Sequence, residues 1–232
     1  MINEVRNTVL SIISKENRGY ITPFEFNLFA KQAQLEVFEQ YIYSYSMSIV
    51  KQNARLNGEG YSDIPRKISD VIDTFYKSSA LVYTGTEFTE PDNYYFIDKL
   101  IYNNSVEVEK VQQNKILSLI SSNLTAPTVA YPVYTHDEAG FIVYPNTIIS
   151  NISMGYIRYP LDPKWTYIAT SLTDSDPLFN ISAADYQDFE LPKSDFTNLV
   201  LKILQYSGIS IRESEIAAAA KSEELQDAQQ KQ

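Results

Sequence analysis

The sequence predicts an α+β fold: a helical bundle of N-terminal helices plus a C-terminal return helix, with an inserted β-rich subdomain and an extended C-terminal helix. Three observations predict it. Apolar residues recur at helical spacing over 2–16 and again from Thr22 to about Asn57. Residues 79–170 are instead rich in Val, Ile, Tyr, Phe and Thr and are divided by short turns. Helical spacing then returns over 193–207.

This pattern divides the chain into five predicted segments. They are a first part of the bundle (1–78), the inserted β-rich subdomain (79–170), an irregular loop (171–192), a second part of the bundle (193–210) and a C-terminal docking helix (211–232).

The second helix has the clearest start signal in the chain. Thr22 is followed by Pro23 and, three positions after the threonine, by Glu25. This is a capping box with proline at the first helical position. A shorter helical stretch is predicted over Arg66–Tyr76, and a short helix over Val111–Ser121 interrupts the strands. The irregular residues that follow Pro160 form a loop long enough to be functional or to lie along another surface.

The return helix and the residues after it differ in apolar content. Phe196, Leu199, Val200, Ile203 and Leu204 make one wide apolar stripe. Pro192, with Ser194 or Asp195, marks the start of this helix, and Gly208 is predicted to end it.

The C-terminal segment 211–232 is rich in helix formers but poor in large apolar residues. It is therefore either a frayed tail or a segment that orders against a partner. If it docks, its few large apolar residues make the contact: Ile211, Ile216 and Leu225.

Composition narrows the function classes. The formal net charge is −10 and there are no cysteines. An acidic chain is a poor electrostatic partner for nucleic acid or an anionic membrane, and without thiols it has no disulfide or thiolate metal site. No signal peptide and no membrane-length apolar run is visible, so we expect a protein that is soluble and intracellular when made.

The sequence contains no positive sign of catalysis, and we predict neither an enzyme, a metal site nor a cofactor. His136 precedes Asp137 and Glu138, yet neighbouring residues of a strand-turn point apart, which favours a solvated turn over a metal site. Acidic residues that alternate with apolar ones favour a solvated face over a catalytic carboxylate pair. Glycine-rich phosphate loops are absent.

Aromatic residues are the best candidates for contacts. Trp165, between two prolines, is either a stacking platform or a packing anchor that pins its loop to the β-rich subdomain. Tyr41, Tyr43 and Tyr45 are either core or an interface stripe, and since 41 and 45 share a helical face and 43 does not, at least one is exposed or at a subunit contact. These four aromatic residues form the predicted subunit interface.

Four stretches of the chain resemble structural proteins of crAss-like bacteriophages. They are VRNTVLSIISKENRGYITPFEFNLFAKQAQLEVFEQY, TAPTVAYPVY, GYIRYPLDPKWTYI and FELPKSDFTNLVLKILQYSGISIRESEIAAAA. The resemblance implies a virion protein of the neck or tail of a short-tailed phage, assembled in the bacterial cytoplasm. Within that family it implies a head-to-tail connector: a twelve-fold adaptor ring beneath the portal, with DNA passing through its lumen and other tail proteins attached.

Two alternatives stay open beside the connector. One is a lower tail ring or stopper protein; the other is a carbohydrate-binding module of the tail that uses the Tyr- and Trp-rich β region. For a ring, the net charge of −10 suggests acidic residues in the lumen that repel DNA phosphates and let the genome slide.

Overall fold

The computed structural model describes residues 1–15, 20–53, 63–138, 140–168 and 177–210. In chain order, its elements are α1 Ile2–Lys15, α2 Pro23–Asn53, α3 Asp63–Asp73, β1 Tyr76–Ala80, β2 Phe88–Thr89, β3 Tyr94–Tyr102, β4 Val106–Lys110, α4 Ile116–Ile120, β5 Val133–Asp137, β6 Gly140–Tyr144, β7 Ile152–Arg158, β8 Tyr167–Ile168, β9 Leu178–Phe179, a 3-10 turn Lys193–Asp195 and α5 Phe196–Ser210.

The chain divides into two compact units. The described residues of Met1–Val71 and Pro160–Gln232 form a helical unit, and Ile72–Tyr159 form a sheet unit. In the helical unit, α5 packs against both α1 and α2. Its interior contains apolar side chains of these helices together with Trp165, Phe189 and Leu191 from the irregular segment.

The sheet unit holds a seven-stranded sheet in the order β1-β7-β3-β4-β5-β6-β2, curled into a half-barrel. The β4–β5 pair is parallel and the other neighbouring pairs are antiparallel. Alternate side chains of the strands point into one core, which contains Leu100, Tyr134, Phe141, Met154 and Tyr156 among others. A Cβ on Gly140 would lie 2.2 Å from the Phe88 carbonyl oxygen, so glycine is required where β2 joins β6.

The predicted fold class, a helical bundle with an inserted β-rich subdomain, is wrong. The structure is mixed α and β, with five helices in the described residues beside the curled seven-stranded sheet. Helical periodicity identifies an amphipathic face but not what covers it. In the helical unit, Trp165 of the irregular segment is buried together with apolar side chains of the helices.

Two helix-end predictions have different outcomes. The capping box is confirmed: the Thr22 N–H donates to Glu25 Oε2 (2.9 Å), and the Glu25 N–H donates to Thr22 Oγ1 (3.2 Å). The stop at Gly208 is wrong, because α5 continues through it to Ser210. Gly208 is buried, and the packing of α5 outweighs the cost of about 1 kcal/mol that glycine imposes in a helix interior. The C-terminal docking helix lies outside the described residues.

Candidate interaction surfaces

Trp165 is an anchor in the interior of the helical unit, with 2% of its surface exposed. Its indole Nε1 donates to Asn3 Oδ1 (3.0 Å), and the Arg6 guanidinium lies 3.9 Å from the ring centroid. Tyr167 and Phe179 stack on the ring. The ring is therefore a packing anchor, and these contacts attach its loop to α1 within the helical unit. The buried ring is not available to a subunit interface.

Two amide side chains of α2 hold the irregular segment against the helix. Asn27 bonds the Trp165 backbone on both sides, accepting from its N–H (2.8 Å) and donating to its carbonyl (3.1 Å). Buried Gln34 donates to the Leu161 carbonyl (2.7 Å) and accepts from the Glu190 N–H (3.0 Å). These bonds satisfy backbone groups that an irregular segment cannot pair with itself.

The three tyrosines of α2 are in different environments. The half-buried Tyr41 donates its hydroxyl to the buried Asp195 carboxylate at 2.8 Å, so its polar tip is used within the chain. Burial, and then the bond to Asp195, raises the pKa of the Tyr41 phenol well above its ordinary value. Tyr45 is half-buried, whereas Tyr43 is exposed. Of the predicted tyrosine stripe, Tyr43 is the one with a ring open to a partner.

An ion pair between buried Lys202 and Glu36 joins α5 to α2. The Lys202 side chain is 3% exposed, and its Nζ lies 2.9 Å from Glu36 Oε1. Tyr206 donates its hydroxyl to the other Glu36 oxygen at 2.7 Å. Burial acts to raise the pKa of Glu36, but the hydrogen bonds from Tyr206 and Lys202 and the charge of Lys202 outweigh it, and the pKa is lowered.

The connection between β4 and β5 exposes five large apolar side chains. Parallel strands need a crossover connection, and here residues 111–132 supply it with the single-turn helix α4. We call its exposed apolar residues the crossover surface: Leu117, Ile120, Leu124, Val129 and Tyr131. Leu124 is 94% exposed, Tyr131 81% and Leu117 76%. Exposed apolar residues that form a contiguous patch mark sites of protein–protein contact, which makes this connection a candidate.

Local hydrogen bonds pair backbone groups along the crossover. The Leu119 N–H donates to the Lys115 carbonyl (3.2 Å), and the Ala126 N–H to the Ser122 carbonyl (2.9 Å). Thr128 and Tyr131 exchange backbone bonds in both directions. Ile116 points inward and is buried. The exposed side chains thus stand on an ordered backbone, which lowers the entropy lost on binding.

A second apolar set lies on the outer face of the sheet. Tyr76 and Phe96 both pair with Ile157 in register, so the three side chains form a row across β1, β7 and β3. Its neighbour Tyr156 points into the core, which places Ile157 on the opposite face. We call this row the outer-face patch. Gly155 lies beneath the Tyr76 ring, where a Cβ would lie 2.1 Å from the Tyr76 hydroxyl.

The helical unit has exposed apolar residues of its own on α2. Phe24 and Leu28 are one helical turn apart and both are exposed. Charged residues lie among them in the helix, including Glu25 and Lys31. Lys31 pairs with Asp162 at 2.6 Å. This mixed surface is less distinct than the two apolar sets of the sheet unit.

His136 lies beside a carboxylate other than the ones next to it in sequence. Its Nε2 is within hydrogen-bonding distance of Glu90 Oε1, and its ring stacks on Phe141. Among the described residues, no three His, Cys, Asp or Glu side chains converge as a metal site would require. In that same part of the chain, no helix is long and apolar enough to cross a membrane.

The two apolar sets of the sheet unit were not predicted from the sequence. One signal was available: residues 116–135 contain no charged side chain, although 21% of the whole chain is charged. The outer-face patch was not predicted, because in an alternating strand the outward-facing residues are normally polar. The predicted docking residues Ile211, Ile216 and Leu225 lie outside the described residues.

Comparison with known proteins gives no family assignment. No protein-family profile matches this chain, and no curated protein sequence is significantly similar to it.

Proposed function

We propose that this protein is a structural component of a short-tailed phage virion that forms a ring beneath the portal. In this role it is a head-to-tail connector that extends the DNA channel and carries tail components. The crossover surface is the observation that carries the proposal, because an ordered set of exposed, uncharged apolar side chains has the character of a protein–protein interface. The resemblance to phage structural proteins is the reason for proposing that this interface belongs to a ring beneath the portal.

The acidic composition fits passage of DNA without binding. A net charge of −10 per copy gives a ring a strongly negative field, which repels phosphates. The proposal therefore includes a lumen with an excess of Asp and Glu. A ring whose lumen is basic would contradict this part of the proposal.

The direct test is the mass of the purified full-length protein, alone and with the portal protein of the same virion, by native mass spectrometry. The expected result is a small species alone and a complex with twelve copies on the portal. A protein that binds no portal at any accessible concentration would overturn the proposal. A glycan array used alongside distinguishes the carbohydrate-binding alternative, which requires positive hits.

The C-terminal segment supplies a second test within the same assay. Ile216→Ser with Leu225→Ser removes two of the three proposed docking side chains, and Ala218→Ser is the matched control. Because a segment with few apolar residues depends on each of them, we expect the double variant to lose portal binding and the control to keep it. Normal binding by the double variant would exclude docking through these residues.

A further inference from the structure

We infer that the open edge of β1 binds an extended segment of a different protein, which joins the sheet as a further antiparallel strand. β1 is a terminal strand of the seven-stranded sheet and pairs on one side only, with β7. This contact goes beyond the proposed ring, because it concerns a chain of another kind and is tested without portal.

The hydrogen bonds at the two ends of β1 show which of its backbone groups face the open edge. The Arg158 N–H donates to the Phe75 carbonyl (3.0 Å), and the Leu81 N–H donates to the Ile152 carbonyl (2.9 Å). Bonding to the neighbour alternates along an antiparallel strand, so the odd-numbered residues between these two ends also face β7. The N–H and C=O groups of three residues therefore point to the open edge: Tyr76, Ser78 and Ala80.

The side chains of β1 leave this edge accessible. Ser78 and Ala80 are short and exposed. The Tyr76 ring lies back over Gly155 of β7, and its hydroxyl is 3.4 Å from Asp98 Oδ2, so the ring covers the sheet instead of the edge. Proline and β-bulges commonly block the edges of sheets, and β1 contains neither. An edge of this kind binds a peptide in extended conformation through its backbone.

The other end of the sheet, by contrast, is covered by the chain itself. The Thr89 N–H of β2 donates to the Val82 carbonyl (3.0 Å), and Tyr83 forms a bridge with Phe88. The residues that directly follow β1 thus pair with β2. A contact that joined β1 of one copy to β2 of the next would have to break these bonds first.

The charge at the open edge favours a different protein over β1 of a second copy. Lys77 is exposed and forms no ion pair with any described residue. Opposite charges stabilise a cross-strand pair, so a strand beside β1 gains most from a carboxylate at this position. β1 has no acidic residue, so a second copy of β1 cannot supply one. Two chains of net charge −10 also repel each other.

The outer-face patch specifies the other face of the bound segment. Its row of Tyr76, Ile157 and Phe96 ends at β1. An apolar residue opposite Tyr76 extends this row by one cross-strand contact. Since side chains alternate along a strand, the segment alternates apolar residues on the outer face with polar ones on the other, including an acidic residue opposite Lys77.

The test is an NMR titration of the full-length, isotope-labelled protein with the acetylated and amidated peptide Thr-Val-Thr-Val-Glu-Val-Thr. In the antiparallel register its glutamate lies opposite Lys77, and its three valines lie opposite the residues with free backbone groups. We expect saturable shifts and slower hydrogen exchange at the amides of Tyr76, Ser78 and Ala80. No saturable shift in β1 at millimolar peptide would overturn the inference.

Two methylated peptides test whether the contact is made by the backbone. N-methylation of the middle valine removes the N–H that bonds the Ser78 carbonyl, and we expect binding to weaken by about tenfold or more. The matched control carries its methyl group on the threonine before this valine, where the N–H points away from β1, and should bind nearly as well as the original. Equal binding by the two methylated peptides would show that the peptide does not join the sheet.

A charge reversal tests the acidic partner. A peptide with lysine in place of its glutamate should bind the unmodified protein up to about fivefold more weakly than the original peptide. Lys77→Glu should reverse this preference. Lys99→Glu, at an exposed position of β3, is the matched control and should keep it, because β3 is paired on both sides. An unchanged preference in Lys77→Glu would overturn the choice of an acidic segment.

A second copy is the alternative occupant, and native mass spectrometry without peptide distinguishes it. Ser78→Pro removes an edge N–H, and proline is tolerated in edge strands. Dimers of the unmodified protein that are lost in Ser78→Pro would show that β1 pairs with itself, which would overturn the inference. Failure of the proposed function has a different signature, since a protein that binds this peptide but no portal keeps the edge contact and rejects the connector.

Discussion

Two long connections of this protein use apolar residues in opposite ways. The segment after Pro160 directs Trp165 inward and fixes its own backbone to Asn27 and Gln34 of α2. The crossover at 111–132 fixes its backbone with local bonds and directs Leu117 and Leu124 outward. Both are irregular and both contain large apolar residues. The comparison teaches that loop length and composition do not show whether the apolar side chains of a connection are buried or exposed, because this depends on the folded chain.

Replacing Trp165 should have the largest effect on stability. We expect Trp165→Ala to lower the free energy of unfolding by about 4 kcal/mol, because it leaves a cavity and removes the stacking partner of Tyr167. Urea denaturation followed by circular dichroism measures it, and Trp165→Phe provides a milder variant if the first does not fold. Tyr131→Ala, on the crossover surface, is the control. If Trp165→Ala and Tyr131→Ala lower the free energy of unfolding equally, the two connections do not differ in the way described.

The buried Lys202 should produce the next largest effect. Glu36→Gln leaves this cation without its carboxylate, and we expect a loss of about 2 kcal/mol, less than for a fully buried pair because Glu36 is partly exposed. The exposed Glu39→Gln on the same helix is the control.

The same pair has a defined pH dependence. The folded pKa of Glu36 is lowered from 4.5, so its contribution is present above that pH and is lost as pH falls through the folded pKa. Stability measured from pH 7 to pH 3 should therefore fall less steeply below pH 4.5 in Glu36→Gln than in the native chain. If stability falls equally steeply with pH in both proteins, protonation of Glu36 does not cause the loss.

Removing the Asn27 amide tests how the segment after Pro160 is attached to α2. Asn27→Ala removes both bonds to the Trp165 backbone, and we expect a loss of about 1.5 kcal/mol, because part-buried donor and acceptor groups lose their partners. Thermal and urea denaturation measure it. Asn7→Ala, at an exposed position of α1, should change stability little. If the two alanine variants are equally stable, the segment is not held through Asn27.

Changes on the crossover surface should have the smallest effect on stability. Leu117→Ser combined with Leu124→Ser should alter the free energy of unfolding by less than about 0.5 kcal/mol, since both side chains are exposed. The same variant should fail to form the ring in native mass spectrometry, while Ser118→Ala assembles normally. A large loss of stability would mean that these leucines support the fold.

Some features of the fold were predictable from local sequence. The capping box of Thr22 and Glu25 acts over three residues, and apolar residues recur at helical spacing along α1 and α2, so the box and the places of the two helices were predicted correctly. The strand-rich character of the residues after α3 was also predictable. What these strands form was not, because strand order and curvature depend on partners distant in sequence.

The sequence by itself determined the start of α2 and the strand-rich character of the residues after α3, whereas it left Trp165 open between a stacking platform and a packing anchor. Tertiary structure alone decided that the strands form a curled seven-stranded sheet, that α5 passes through Gly208 and that the crossover surface points outward. The physical reason is the distance along the chain over which each interaction acts. Caps and periodicity act within a few residues, whereas burial, which overrides glycine in α5 and leaves Leu124 exposed, depends on contacts that only the folded chain brings together.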